Sequence, residues 1–265
     1  RVASRGLGDV YKRQTNNREA KTILKDINLS IKESEMFGLV GETGSGKSMF
    51  GWSLIDLLPR SCYREEGTVE YNKIEVSDIP NLRGEKVTMV FQDPMQSLNP
   101  IQTIGSQIKI LFENNNYDKK SSYEESIGRW ISRVKLDEVP NLMSRYPHQL
   151  SGGQMQRVMI AVSMLMEPSL IIADEITTGL DANTKIEIMD MLIDLQKDQG
   201  FAVLLISHDL LMVKRYCERV AVIANGKILD LGTPKKVFFE QINKTNKSVK
   251  NNIKIEETTK GSNSA

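Results

Sequence analysis

The chain has 265 residues, with 35 Lys+Arg against 34 Asp+Glu and a formal net charge of +1. That length allows one large domain, or a domain with a subdomain, around a substantial core, and the charge balance gives no electrostatic pointer to nucleic acid or anionic lipid. The two cysteines, Cys62 and Cys217, lie far apart without metal-ligand spacing; this speaks for a reduced, cytosolic setting, and since no apolar run approaches the ~18 residues of a membrane span, any membrane role comes through a partner.

Residues 1–14 read as foreign to the fold, because Ser4 to Gln14 resembles translated sequencing-adapter peptide; the segment is expected to be artefactual or disordered. The fold proper is expected over 15–240. Thr22 to Lys32 alternates apolar and polar residues as a half-buried strand region does. Met36 to Val40 is a short apolar run feeding into Gly41, and Lys47 to Leu58 reads as a helix stopped by Pro59. Gly67 to Tyr71 and Val87 to Phe91 read as strands. Residues from about Ile104 to Met143 look helical and polar-rich, the centre of a helical subdomain expected over about 95–165. Gln154 to Met166 is predicted as a helix closed by Pro168, Leu170 to Ala173 as a buried strand, and Thr184 to Gln199 as an amphipathic helix ended by Gly200. Ala202 to Ile206 is another buried strand, and Val220 to Ala224 with Ile228 and Leu229 suggests a hairpin around Asn225-Gly226. Buried strands alternating with helices make an α/β sheet with a helical insert. From Gln241 onward the chain is rich in Asn, Lys, Ser and Thr and is expected to be a disordered tail.

The chemistry concentrates in a few motifs. Gly41-Glu42-Thr43-Gly44-Ser45-Gly46-Lys47-Ser48 matches G-x-x-x-x-G-K-[ST] between a strand and a helix. Its backbone N–H groups can wrap a β-phosphate, Lys47 reaches the β- and γ-oxygens, and the Ser48 hydroxyl suits Mg²⁺. Leu170 to Glu175 is an apolar strand ending in two acids. Successive strand residues face opposite ways, so Asp174 fits the metal side and Glu175 a general base acting on the attacking water. His208 follows the strand Ala202–Ile206; a lone histidine is ordinarily structural, but the carboxyl edge of an open sheet is where such folds bind ligands, which favours a γ-phosphate contact. His148 reads as packing or surface. Gln92 closes the strand before Asp93-Pro94 and is either a plain strand-end amide or a contact to Mg²⁺ or the attacking water. Asp181 is either the N-cap of the next helix or a contact across a subunit interface. Finally, Leu150-Ser151-Gly152-Gly153-Gln154-Met155-Gln156-Arg157 has capping-box spacing between Ser151 and Gln154 and a bare helix N-terminus, an anion site. Since the cis elements already complete one nucleotide site, this run is a second phosphate element and leaves open whose phosphates it touches.

Taken together, these residues resemble the ATP-binding cassette of ABC transporters. The order of P-loop, glutamine loop, LSGGQ-type signature, Asp-Glu pair, Asp181 loop and histidine loop covers roughly Thr22 to Glu240. The resemblance implies an α/β P-loop NTPase core sheet, an antiparallel β subdomain and a helical signature subdomain. It implies an ATPase with ATP and Mg²⁺, the Mg²⁺ held by Ser48, Gln92 and Asp174. It also implies a head-to-tail pair of cassettes, identical or related, in which Ser151, Gly152, Gly153 and Gln154 close over the partner's ATP while Gln92 and His208 serve coupling and the γ-phosphate. Transmembrane permease subunits, an extracytoplasmic substrate-binding protein and a peripheral place on the cytoplasmic face of the membrane follow from the same resemblance, with no nucleic-acid partner. The segment Phe91-Gln92-Asp93-Pro94-Met95-Gln96-Ser97-Leu98-Asn99-Pro100 is similar to the oligopeptide/dipeptide/nickel importers. Ile176 and Gly179 depart from that pattern, standing where proline and alanine are usual. The adenine-stacking aromatic is expected near Tyr11 to Thr15. The His-Pro-Tyr-Thr extension of peptide importers is not found after Glu240, which shifts weight toward nickel or another chelated metal. The competing reading is a soluble ABC-type ATPase of DNA repair or translation, against which stands the short distance from Gln92 to Ser151, room for only a small helical insert.

Overall fold

The near-continuous apolar runs at 36–40, 170–174 and 202–207 lack the in–out alternation of a half-wet sheet, and each is buried along its whole length, as strands covered on both faces must be. In the computed structural model, which describes residues 2–7, 10–12, 21–114 and 122–239, the chain runs β1 (Val2–Leu7), β2 (Val10–Lys12), β3 (Lys21–Leu24), β4 (Ile27–Ile31), β5 (Met36–Val40), α1 (Lys47–Leu54), β6 (Cys62–Arg64), β7 (Thr68–Tyr71), β8 (Ile74–Glu75) and β9 (Val87–Val90). It continues through α2 (Pro94–Ser97), α3 (Ile104–Asn114), α4 (Tyr123–Arg133), α5 (Gly152–Met164), β10 (Leu170–Asp174), α6 (Ala182–Gln199), β11 (Ala202–Ser207), α7 (Leu210–Tyr216), β12 (Arg219–Ala224) and β13 (Lys227–Gly232). The central sheet has the order β13-β12-β5-β11-β10-β9. Its pairs are parallel except β12–β13, a hairpin turned by Asn225 and Gly226, both at positive φ, as a two-residue turn of this hand requires.

The period of two along each central strand divides the core. Met36, Val40, Ile171, Ala173, Val203 and Leu205 join one apolar cluster with α5, α6 and the helical region, where Trp130 and Ile104 are buried. Phe37, Leu39, Leu170, Ile172, Leu204 and Ile206 face the other way, onto Phe50 and Leu54 of α1 and onto Ile27, Leu29 and Ile31 of β4. Small antiparallel sheets, β4-β1-β7-β8 and β3-β2-β6, complete that second side.

The N-terminal segment departs from expectation. The backbone of Val2–Leu7 pairs with both β4 and β7, and that of Val10–Lys12 with β3 and β6. Strands β4 and β7 each offer an open row of N–H and C=O groups, and main-chain pairing needs no particular side chain. The expected tail, 241–265, lies outside the described residues. Helix α1 stops at Leu54, short of Pro59, where Asp56 takes a left-handed conformation. The long helical stretch is broken into α3 and α4, the latter opened by a Ser122–Glu125 capping box.

One polar knot pins the edge of the core. Glu35, 2% exposed, accepts from Lys32 N at 2.7 Å and from Arg219 Nη1 at 3.0 and 3.2 Å. Arg219 also reaches Ser30 O and stacks over Phe37. It ties β4, β5 and β12 together. Glu35→Ala is expected to cost about 2–4 kcal/mol in urea unfolding, below the full cost of orphaning a buried charge because Arg219 keeps a wet side.

Candidate active site

Strand β5 delivers Gly41–Ser48 to the carboxyl edge of the sheet, and α1 starts inside the loop. Its N-cap, Gly46, has φ 108° and no side-chain cap, so the first N–H groups of the helix are left for an anion. Lys47 is 5% exposed and folds back on its own loop, its Nζ donating to Gly41 O at 2.9 Å and Glu42 O at 3.0 Å. The same Nζ lies 3.8 Å from Glu175 Oε1.

The acids after β10 sit differently from a simple strand alternation. Asp174 ends the strand, but Glu175 turns out of it at φ 49°, its N–H donating to Ile206 O. That left-handed residue brings both carboxylates toward the P-loop instead of onto opposite faces. Glu175 Oε2 accepts from Thr178 Oγ1 at 3.2 Å and lies 3.1 Å from His208 Nδ1. Asp174 is buried, and its Oδ1 has no hydrogen-bond partner. Burial pushes its carboxyl above the usual range and Glu175 adds to this, while a hydrogen bond with Ser48 and the Lys47 charge pull it back.

A carboxylate held at raised pKa weakens the fold above that pKa, and the penalty disappears as pH falls through it. Asp174→Asn is therefore expected to raise the melting temperature of the nucleotide-free protein at neutral pH by about 2–4 °C, the effect of ~1 kcal/mol at this size. The gain should vanish in acid, and ATP hydrolysis should be lost.

Gly41–Ser45 of the P-loop, Gln92, Glu175, Thr178 and His208 line one cavity of about 1000 Å³ together with Leu210, Leu229 and the end of β12, whereas Gly46, Lys47, Ser48 and Asp174 are not among the described residues that line it. Sequence reading missed Thr178, Leu210 and Leu229. Only the Thr178 hydroxyl, three residues past Glu175, carried a legible signal. Tyr11's side chain and residues 13–15, the expected place of the adenine-stacking aromatic, lie outside the described part.

The second phosphate element is built as its spacing suggests. Gln154 N–H donates to Ser151 Oγ at 3.2 Å and Ser151 N–H to Gln154 Oε1 at 3.0 Å. Yet none of Ser151 to Gln154 lines the P-loop cavity among the described residues. Asp181 stands apart from the cavity too, capping α6 through Asn183 N, Thr184 N and Thr184 Oγ1. These bonds, the Thr184 hydroxyl first, hold its carboxyl below the usual range. Behind the signature, the buried Arg157 joins three helices: it donates to Val134 O just past α4 at 3.1 Å and to Glu187 of α6 at 2.8 Å. The sequence showed it only as the last residue of a motif, with no signal for its partners.

The comparisons with known proteins agree with this geometry. The family model for ABC transporters matches residues 24–178. The oligopeptide transport ATP-binding protein OppD of Escherichia coli is 39% identical over 227 residues, covering 83% of this chain and 67% of that protein. OppD of Lactococcus lactis subsp. lactis is 36% identical over 218 residues, 80% of this chain and 64% of that one. The chain thus spans about two thirds of the length of these relatives. Among solved structures, the dimeric ATP-binding cassette MJ0796, in a post-hydrolysis state with ADP and Pi, is similar at a TM-score of 0.74 and 28% identity, over 88% of this chain and 99% of that one. The cassette cbiO1 from Clostridium perfringens, part of the ABC transporter complex cbiONQ, gives 0.72 and 28% over 94% and 100%. A bare-ended helix facing the Asp174–Glu175 pair, on a sheet shared with these cassettes, leaves one assignment: the chain belongs to the ABC transporter family, as one of its ATP-hydrolysing cassettes.

Proposed function

We propose that this cassette drives uptake of oligopeptides, with dipeptides and nickel or another metal chelate as the other cargo classes of the same importer group. The observation that carries the cargo reading is the 39% identity to an oligopeptide transport cassette. The missing His-Pro-Tyr-Thr segment carries no weight against peptides, because the chain spans about two thirds of that relative.

ATP sits on the P-loop, where Lys47 exchanges the carbonyls of Gly41 and Glu42 for phosphate oxygens. Mg²⁺ fits the donors present: Asp174 Oδ1 is buried without a partner and the Ser48 hydroxyl is a neighbour of the same carboxylate, with Gln92 at the cavity wall. When bound there, Mg²⁺ would offset phosphate charge. Glu175, braced by Thr178 and His208, takes the proton of the attacking water, and His208 meets the γ-phosphate. The partner cassette supplies Ser151, Gly152, Gly153 and Gln154, with Asp181 at the same interface. The cassette core spans 15–240 with the helical subdomain at about 95–165. It works against permease subunits contacted near Gln92, on the cytoplasmic face of the inner membrane, with an extracytoplasmic binding protein delivering cargo.

Proteoliposomes holding the cassette with its co-purified membrane partners and binding protein test this. ATP-dependent accumulation of a labelled oligopeptide is the expected result. Accumulation of nickel alone would move the cargo to the chelate class, and tight, salt-sensitive binding of nucleic acid by the cassette would favour the repair or translation reading.

A further inference from the structure

The Thr184 side chain has two ends, and each touches a different motif. Its hydroxyl donates to Asp181 Oδ2 at 2.6 Å, and its backbone N–H donates to Asp181 Oδ1 at 3.0 Å. Its methyl faces the signature: a Cβ placed on Gly153 would stand 2.7 Å from Thr184 Cγ2. Real carbons do not approach that closely, so the signature helix N-terminus rests directly on this methyl. The neighbouring Gly152 is looser, its nearest contact being Leu180 Cδ2 at 3.3 Å. The chain then returns to the acid pair, since Leu180 N–H donates to Thr177 O and Thr178 N–H to Glu175 O. One half-buried side chain therefore fixes the spacing between the signature and the Asp181 loop within a single subunit.

We propose that Thr184 is a positioning residue that sets the register of Ser151–Gln154 against Asp181, so that both reach the partner's nucleotide together. This rests on the reading of the signature as a trans element. Gly153 is needed on this account because any Cβ there pushes against Thr184 and tilts α5 away from the Asp181 loop. The hydroxyl end holds the loop and the methyl end gauges the distance.

A small set of variants of the whole chain tests it, with steady-state ATP turnover and fluorescent-nucleotide binding to the monomer as the two readings. Gly153→Ala should lower turnover by about 100-fold and leave monomer binding unchanged. Adding Thr184→Ser, which removes the methyl and keeps the hydroxyl, should recover about tenfold of that loss. Gly152→Ala should show no such recovery, because its nearest neighbour is Leu180. Thr184→Val, which keeps a methyl and loses the Asp181 bond, should lower kcat several-fold with monomer binding unchanged. The assignment is overturned by undiminished turnover in Gly153→Ala, by a double variant no faster than Gly153→Ala, by equal relief of Gly152→Ala, or by wild-type turnover in Thr184→Val. The two readings fail separately: monomer binding that falls in step with turnover in Gly153→Ala sinks the trans reading itself, whereas intact binding without recovery sinks only the role of Thr184.

Discussion

Glu175→Gln should bind ATP as the wild type does and hydrolyse it about 10²–10⁴-fold more slowly, the range of a lost general base. The amide keeps the size of the carboxylate and its hydrogen bond from Thr178, but it cannot take a proton from water. It also loses the charge that faces Lys47 at 3.8 Å and His208 at 3.1 Å. With hydrolysis blocked and binding intact, a closed dimer should accumulate in ATP, seen as a faster-eluting species in size-exclusion chromatography. Turnover within a factor of a few of wild type would remove Glu175 from the base role and shift attention to His208.

Changes at Ser151 should separate what its hydroxyl does for the helix from what it does for a neighbour's nucleotide. Ser151→Ala removes the cap of α5 and should cost ~1 kcal/mol of stability together with most of the ATP turnover, since one lost phosphate-side donor is typically worth about 10²–10³-fold. Ser151→Asp keeps a capping oxygen, so the melting temperature should hold, but it points a negative charge at the partner's phosphates. Turnover should therefore fall at least as far as in the alanine variant while monomer ATP binding stays intact. An aspartate variant that hydrolyses normally would mean that Ser151 is a cap and nothing more.

How much of this was legible in the sequence follows the range of the interactions. The P-loop, the Ser151–Gln154 capping box and the Asn225-Gly226 hairpin are local: a few consecutive residues set backbone geometry and hydrogen bonds, and they stand where their spacing put them. The apolar strands were legible from burial on both faces alone. The antiparallel sheets were harder, since β1 lies between β4 and β7 by main-chain bonds that leave no side-chain mark. The arrangement around Glu175 was legible as a pair of acids but not as geometry. Its left-handed turn belongs to a non-glycine residue, and its bond to His208 joins positions 33 apart in the chain. Arg157 shows the same limit, because its partners at 134 and 187 lie 23 and 30 positions away in the chain.

Lys47 is held by its own loop, and this sets the terms on which phosphate would bind. A lysine already satisfied by two carbonyls of its loop and facing a carboxylate does not wait as a bare charge. Arriving phosphate replaces bonds that exist, so the net gain is a difference between two well-satisfied arrangements and not the full strength of a new ion pair.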